Sequence, residues 1–402
     1  MSVEQAKKTQ TPAEIIKVYT DAAGECPVIV GQPIPAGSDD AIQVLQRALT
    51  FARDDGNWLL AAQLSSTLGL IYFDRANLYD ARERTSEAVS FLRHADNKEQ
   101  LARTLGNLST ITYYAGESDT ALEAAREAAK LAGEAGLTLL QGFLLCNVGA
   151  VLSYRGEYRA GSESFEQAHQ IFMREEDDLG MAWWQSNKAR EQDRDQGRCA
   201  EAIEQIKTAL PTLREKTTPK VVIENLLALA DSYLCVGDQI HATEIVQEAD
   251  ALIAEKKLYW YRAESCLLKA RFAFAQDDLK QASRLAHMGL GLVGDQGDLR
   301  TLSALYRMVS LIHERDKTRR EDTQDALDRA IAVGRSRSRR LELALSLRQA
   351  GLHLKAFGNR PLLRARSSGF LFESERMFKE MDLSIPSVIP QPQSAPKDPT
   401  QK

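Results

Sequence analysis

Small residues recur along this chain at a fixed interval, and the interval restricts what the chain can fold into. Ala41, Ala81, Ala121 and Gly161 stand 40 apart; Ala202 follows after 41, then Ala242 and Ala282 after 40 each. A second ladder runs seven residues behind: Ala48, Ala88, Ala128, Ala168, Ala209, Ala249 and Gly289. Residues seven apart share one helix face, two turns apart. Small side chains there let a neighbouring helix approach closely. A period of this length signals a stacked array rather than one compact core, and 402 residues exceed the usual size of such a core.

The residues before each ladder alanine describe a preceding helix. It reads LLAAQLSSTLGLIYF from Leu59 to Phe73, QLARTLGNLSTITYY ending at Tyr114, and LLQGFLLCNVGAVLSYR ending at Arg155. Apolar residues recur at the 3–4 spacing of an amphipathic helix. A turn follows each time: Gly116-Glu117, Gly156-Glu157, Gly197-Arg198, Gly237-Asp238 and Asp277-Asp278. Glycine after a helix supplies the left-handed C-cap conformation. The unit is helix A, tight turn, helix B, longer turn. The one short strand candidate, Pro27-Val28-Ile29-Val30, sits among Gly and Pro and reads as a loop.

These units resemble tetratricopeptide repeats. The residues that carry the resemblance are Leu68-Gly69 with Tyr72, Ala81 and Ala88; Val148-Gly149 with Gly156, Tyr158, Phe165 and Ala168; and Leu229-Ala230 with Tyr233, Gly237, Ala242 and Ala249. The unit length is similar to the 40-residue subclass found in bacterial signalling and regulatory proteins and in some cell-polarity scaffolds. The resemblance covers roughly residues 38–380. It implies an all-α fold, a right-handed superhelical solenoid of antiparallel helix pairs, with helix A lining an inner groove that holds a protein or peptide.

The chain divides into residues 1–37, a lead helix over 12–22 and a loop; 38–382, the solenoid, with roughly seven helix pairs and incomplete ends; and 383–402, whose proline-rich composition is that of a disordered tail. Residues 38–54 form a helix B without a clear helix A before it. After Ala282 the register loosens, and an insertion, DKTRREDT, accounts for the delay. A last pair is expected over 341–357 and 369–381.

Net charge is −5, which argues against general nucleic-acid or anionic-membrane binding. No apolar run approaches the ~18 residues of a membrane span, and the polar N-terminus lacks a signal peptide's apolar stretch. Five scattered cysteines, Cys26, Cys146, Cys199, Cys235 and Cys266, form no CxxC pair. A disulfide framework is therefore not expected, and a reducing, cytoplasmic location is. Six histidines show no metal-ligand spacing, and no P-loop, GxGxxG or GxSxG motif occurs. No catalytic residue, metal or cofactor is expected.

The candidate site residues lie on helices A. Asn107, Asn147 and Asn187 stand 40 apart, and an asparagine offers both acceptor and donors to an extended peptide. The same ladder could instead hold neighbouring helices in register. Tyr113, Tyr114 and Tyr154 follow one to two turns later. Arg103, four residues before Asn107, completes a pair that resembles part of a carboxylate clamp. Trp183 and Asn187 occupy the places of that clamp's further cations, so the full clamp is absent.

The fourth helix A, MAWWQSNKAREQDRDQG, is the oddest segment. Gln185, Lys188 and Gln192 replace apolar residues, and charges crowd behind them. Such groups must pair with one another, face a wet groove or meet a ligand. Trp183, Trp184, Arg190 and Arg194 make it either a binding site or a hinge. The run from Gly334 to Arg340 contains four arginines and reads as a solvated turn; an acidic partner surface or RNA is the alternative. The expected function is an interaction scaffold or adaptor for a protein or peptide. The alternatives are a peptide-responsive regulator and a non-catalytic subunit that positions an enzyme chain. The irregular end repeats offer surfaces for self-association.

Overall fold

A computed structural model describes residues 39–95, 97–293, 300–316, 320–337, 339–357 and 361–385. The expected lead helix, the Pro27–Val30 segment and the tail beyond Ile385 lie outside these residues. Among the described residues all regular structure is helical. The helices are α1 (Asp39–Asp54), α2 (Trp58–Asp74), α3 (Leu78–Ala95), α4 (Lys98–Tyr114), α5 (Ser118–Glu134), α6 (Thr138–Tyr154), α7 (Tyr158–Arg174), α8 (Asp178–Lys188), α9 (Cys199–Lys216), α10 (Pro219–Cys235), α11 (Gln239–Lys256), α12 (Arg262–Ala275), α13 (Leu279–Val293), α14 (Arg300–Asp316), α15 (Arg320–Arg337), α16 (Arg340–Phe357) and α17 (Pro361–Glu380). A π-helical segment, Ala189–Asp193, extends α8, and a single 3-10 turn, Tyr259–Tyr261, precedes α12. The architecture is an all-α helical repeat.

The turns form where the residues demand them. Gly116, Gly156, Gly197 and Gly237 all take positive φ at the ends of helices A, and Asp277 does so at the fifth expected turn. Asn57, Asn97 and Asp238 cap the next helices by accepting a backbone N–H, which satisfies one of the orphan donors of the first turn.

The small-residue ladder sits at the points of closest helix approach. Ala81, Ala88, Ala121, Ala128, Ala168, Ala202, Ala242, Ala249 and Ala282 are all fully buried. A Cβ on Gly149 would lie 2.9 Å from the Phe165 ring, and one on Gly289 would lie 2.7 Å from Leu305 Cδ2. Larger side chains there would force the helices apart.

The chain forms two compact units. The first comprises residues up to Val151, Glu163–Trp184 and Thr212–Thr218. Ile42, Leu45, Leu49, Leu64, Leu68 and Ile71 open its core. The second comprises Leu152–Ser162, Gln185–Pro211 and the chain from Pro219 onward. One of its apolar clusters joins Ile203, Ile206 and Leu210 of α9 to Val222, Ile223, Leu226 and Leu227 of α10 and to Val246 and Ile253 of α11.

The second unit also brings together residues far apart in sequence. Tyr158, at the start of α7, is buried with Leu327, Ile331, Leu347, Met377, Phe378 and Met381 of the last two helix pairs. The Gly156 turn approaches so closely that a Cβ there would meet Met381 Cγ at 2.6 Å.

The π segment has a cause in the sequence. Asn187 falls one full period after Asn147, whereas Gly197 falls one position later than a period after Gly156. The added residue lies between Asn187 and Gly197, and one wider turn absorbs it without shifting the rest of the repeat.

The cysteine expectation needs correction. Cys199 and Cys235 form a disulfide with Cα atoms 6.2 Å apart. Cys199 opens α9 and Cys235 closes α10, and antiparallel neighbours bring those ends together; the separation of 36 is close to one repeat. Cys146 and Cys266 are free and buried, and burial pushes both thiols up from the ordinary range.

Ala121→Leu tests the packing argument. Ala121 is fully buried, so the added branched chain should cost about 1–3 kcal/mol by overpacking, read as a lower urea midpoint. A change below about 0.5 kcal/mol, as expected of a surface site, would show that the ladder does not set helix spacing.

Candidate functional site

The charged positions of the fourth helix A are satisfied by one another and by the next helices A. All the residues of this network belong to the second unit. Asp193, at the end of the π segment, is fully buried. It accepts from Lys188 Nζ at 2.8 Å, Arg198 Nε at 3.1 Å and Gln205 Nε2 at 3.0 Å. Three donors on one carboxylate meet the demand that a buried charge be paired and hydrogen-bonded. Gln192, also buried, donates to the Tyr158 carbonyl at 3.1 Å and to Ser162 Oγ at 2.5 Å. Of the three polar residues at apolar positions, Lys188 thus pairs within its own helix and Gln192 ties the π segment to α7, while Gln205 ties it to α9.

The second set runs from helix to helix. Arg190 pairs with Glu224 of α10 and with Glu191 at 3.2 Å. Glu224 also accepts from the Tyr261 hydroxyl at 2.7 Å. Asn187 accepts from Arg190 at 3.4 Å. Arg194 reaches Asp231 of α10 at 3.4 Å, and Asp231 pairs on its other side with Arg271 of α12. Arg307 of α14 pairs with Glu342 of α16. From α8 to α12 the signs alternate, cation, anion, cation, at roughly one-repeat spacing, and Arg307 with Glu342 adds a further opposite-charge pair. The side chains of Arg190 and Arg194 are 15% and 19% exposed, so they are mostly screened from water yet reachable.

Electrostatics follow from this geometry. Burial alone would push the Asp231 carboxyl up; the guanidiniums of Arg271 and Arg194, the Arg271 hydrogen bond and the charge of Arg339 outweigh it and hold the carboxyl below its ordinary value. Burial opposes the charge of Arg307 as well, and Glu342 overrides it, so this guanidinium stays protonated. Tyr158 is pushed far up by burial and then by the adjacent Asp195 carboxylate, which its hydroxyl contacts at 3.2 Å. It remains a neutral hydrogen-bond donor.

Of the residues singled out from sequence, Arg103, Asn107, Tyr113, Tyr114, Asn147, Trp183 and Trp184 belong to the first unit, and Tyr154, Asn187, Arg190 and Arg194 to the second. Asn107, Tyr113 and Tyr114 are buried. Tyr114 packs edge-on against Phe73 at 5.4 Å and Tyr113 at 5.6 Å. Trp183 is buried beside Phe143 at 6.0 Å, and Trp184 is the half-buried one, stacked on His169 at 4.0 Å. Asn147 is half-buried. Arg103 pairs with Glu99 of its own helix at 3.0 Å.

Sequence reasoning missed Glu224, Asp231, Arg271, Arg307, Arg339 and Glu342. The available signal was the spacing of Arg194, Asp231 and Arg271, which follow one another at close to one repeat period. The arginine run is solvated only in part: Arg335 and Ser336 are exposed, and Arg339 is not. Arg335 pairs with Glu373 at 2.7 Å and Arg340 with Glu380. Arg339 pairs with Glu191 and, at 2.9 Å, with Asp195.

No group of histidine, cysteine and acidic residues that could hold a metal occurs among the described residues. Among them, too, no helix is long and apolar enough to cross a membrane.

Asp231→Asn removes the negative charge shared by two guanidiniums and turns one acceptor oxygen into a donor. The expected loss is about 3 kcal/mol, at the low end for breaking a buried pair, because a fifth of the side chain is exposed. The folded carboxyl titrates below its unfolded value, so its contribution is present at neutral pH and disappears as pH falls through the low folded value. Urea midpoints between pH 7 and 3 should therefore fall more steeply for wild type than for Asp231→Asn. Parallel slopes would show that Asp231 is not held ionised by its partners.

No family model matches the chain, and no curated protein matches it. Solved structures do. A Rap protein complexed with competence and sporulation factor is similar with a TM-score of 0.60 and 13% identity, over 82% of this chain and 98% of that one. The Rap conjugation gene regulator of the plasmid pLS20, in complex with the Phr* peptide, gives 0.60 and 14%, over 81% and 96%. The apo form of RapI gives 0.51 and 15%, over 68% and 98%. At these identities the likeness is one of fold, and the fold is a tetratricopeptide-like helical repeat.

Proposed function

We propose that this chain is a non-catalytic adaptor that binds a protein or peptide, and that the binding surface is the helix-A face of the second unit around Tyr154, Asn187, Arg190 and Arg194. The observation that carries the reading is the fourth helix A. Its repeat is interrupted by a π segment, and its face presents mostly buried, paired charges where the other repeats place apolar side chains. Interruptions of this type concentrate at functional sites. The face offers paired groups of both signs, so a peptide of either charge can exchange one protein partner for its own group without leaving a bare buried ion. Two of the similar structures were solved with a bound peptide, which supports peptide as the ligand class.

A second reading is a peptide-responsive regulator, in which binding alters the shape of the repeat array and releases a partner. The contacts between Tyr158 and the last helix pairs favour it, because they give the second unit a closure that ligand binding could change. Asn107 and Asn147 of the first unit remain a separate proposal for backbone binding.

The experiment compares capture from the native host by wild type and by the double variant Asn187→Ser, Arg194→Lys. Arg194→Lys keeps the charge and loses the planar fork. The expected result is a protein or peptide retained by wild type and weakened at least about tenfold in the variant, the scale of one binding hot spot, with unchanged circular dichroism. Equal retention by both chains would place the binding surface elsewhere.

A further inference from the structure

Arg339 stands between α15 and α16, yet its guanidinium lies on the π segment of the fourth helix A. It pairs with the Glu191 carboxylate, reaches the Glu191 carbonyl at 3.5 Å and contacts Asp195 Oδ2 at 2.9 Å. Its carbon centre lies over the Tyr154 ring, 5.8 Å from the centroid. The two partners are 148 and 144 residues away in sequence. The Arg339 side chain is 18% exposed, and those of Glu191 and Asp195 are 4% and 6% exposed. Two carboxylates and an aromatic face form a cage that matches a planar cation.

The cage adjoins the proposed binding face. Glu191 lies 3.2 Å from Arg190, and Asp195 lies 3.7 Å from Arg194. Arg339 therefore shares its two carboxylates with the two arginines assigned to ligand binding. Tyr158 ties the same region together: its hydroxyl donates to Asp195, and its ring is buried among the last helix pairs.

We propose that Arg339 is a latch that holds the second unit closed and that its engagement is coupled, through Glu191 and Asp195, to binding at Arg190 and Arg194. The coupling rests on the adaptor reading above; the latch itself does not. A ligand that draws on either carboxylate weakens the latch, and an open latch returns both carboxylates to Arg190 and Arg194. One arginine thus sets the closure of the unit and the charge balance of its binding face.

Hydrogen exchange of the full-length protein tests the latch. Arg339→Ala should speed exchange of residues 156–162 and 377–381 about tenfold while leaving residues 61–73 of the first unit unchanged, because local opening exposes only the segments it separates. Millimolar guanidinium chloride, which fits the vacated cage, should restore protection to Arg339→Ala. Because that variant leaves two carboxylates with one cation fewer, the triple variant Glu191→Gln, Asp195→Asn, Arg339→Met is measured as well; it leaves no orphaned charge. If the triple variant is as protected as wild type, the apolar contacts alone close the unit and the latch is overturned. Failure of guanidinium to restore protection overturns the cage. The coupling is read separately, as at least a fivefold difference in affinity of wild type and Arg339→Ala for the species captured by wild type. Equal affinities overturn the coupling. If nothing is captured, the adaptor reading fails, and with it the coupling, while the exchange result still decides the latch.

Discussion

The structure depends on how closely its helices approach at fixed points. Each repeat offers two small residues, seven apart, on helix B, and the observed burial of Ala81 with Ala88 or Ala121 with Ala128 leaves no room for a larger group. Dispersion and apolar burial then act along the full helix length. This requirement falls on helix B and on the facing glycines of helix A, such as Gly149 against Phe165. The remaining positions of helix A are free to differ between repeats. The π segment shows the priority of the two demands: one extra residue distorts helix A, and the helix B ladder resumes at Ala202.

Charges could enter helix A only on terms that the same geometry supplies. Successive helices A lie side by side, so a group in one repeat meets a group about one period later in the next. Arg194, Asp231 and Arg271 use this relation directly. A network of this type does little for stability. Replacing buried ion pairs with well-packed apolar residues is often neutral or stabilising, and the apolar cluster of Ile206, Leu226, Leu227 and Val246 already holds these repeats together. The network is better understood as a device for specificity, because each charge must keep a partner whichever one it has.

Much of the fold could be read from residue spacing. The alanine ladder gave the repeat, and the Gly116, Gly156, Gly197 and Gly237 turns gave the boundaries of helix A; the one-position delay of Gly197 was a signal of the π segment that the spacing alone did not interpret. Pairing between adjacent repeats was half-legible. The positions of Cys199 and Cys235, or of Arg194 and Asp231, are near one period apart, but period alone does not say which ends face each other. The roles of Tyr113 and Trp183 were not legible, because an aromatic on an amphipathic helix reads equally well as core or as surface. Both are core in the structure, and Trp184 is the partly exposed member of its pair. Contacts across more than one repeat were out of reach. Nothing within the run around Arg339 indicates that Glu191 lies beside it.

Those long-range contacts change what a repeat array can do. In an open array each repeat touches only its neighbours, stability is nearly a sum of local terms, and shape varies by small increments. The second unit has an additional set of contacts: Arg339 on Glu191 and Asp195, and Tyr158 among Leu347, Met377 and Phe378. They share Asp195 and cannot be broken one at a time without leaving a buried charge or an exposed ring. Packed interfaces of this type have discrete states rather than a continuous range. The second unit is therefore expected to have two conformations, closed and open, and a ligand shifts it only by binding one better than the other. The groups that can make that distinction are the carboxylates that serve both the closure and the binding face.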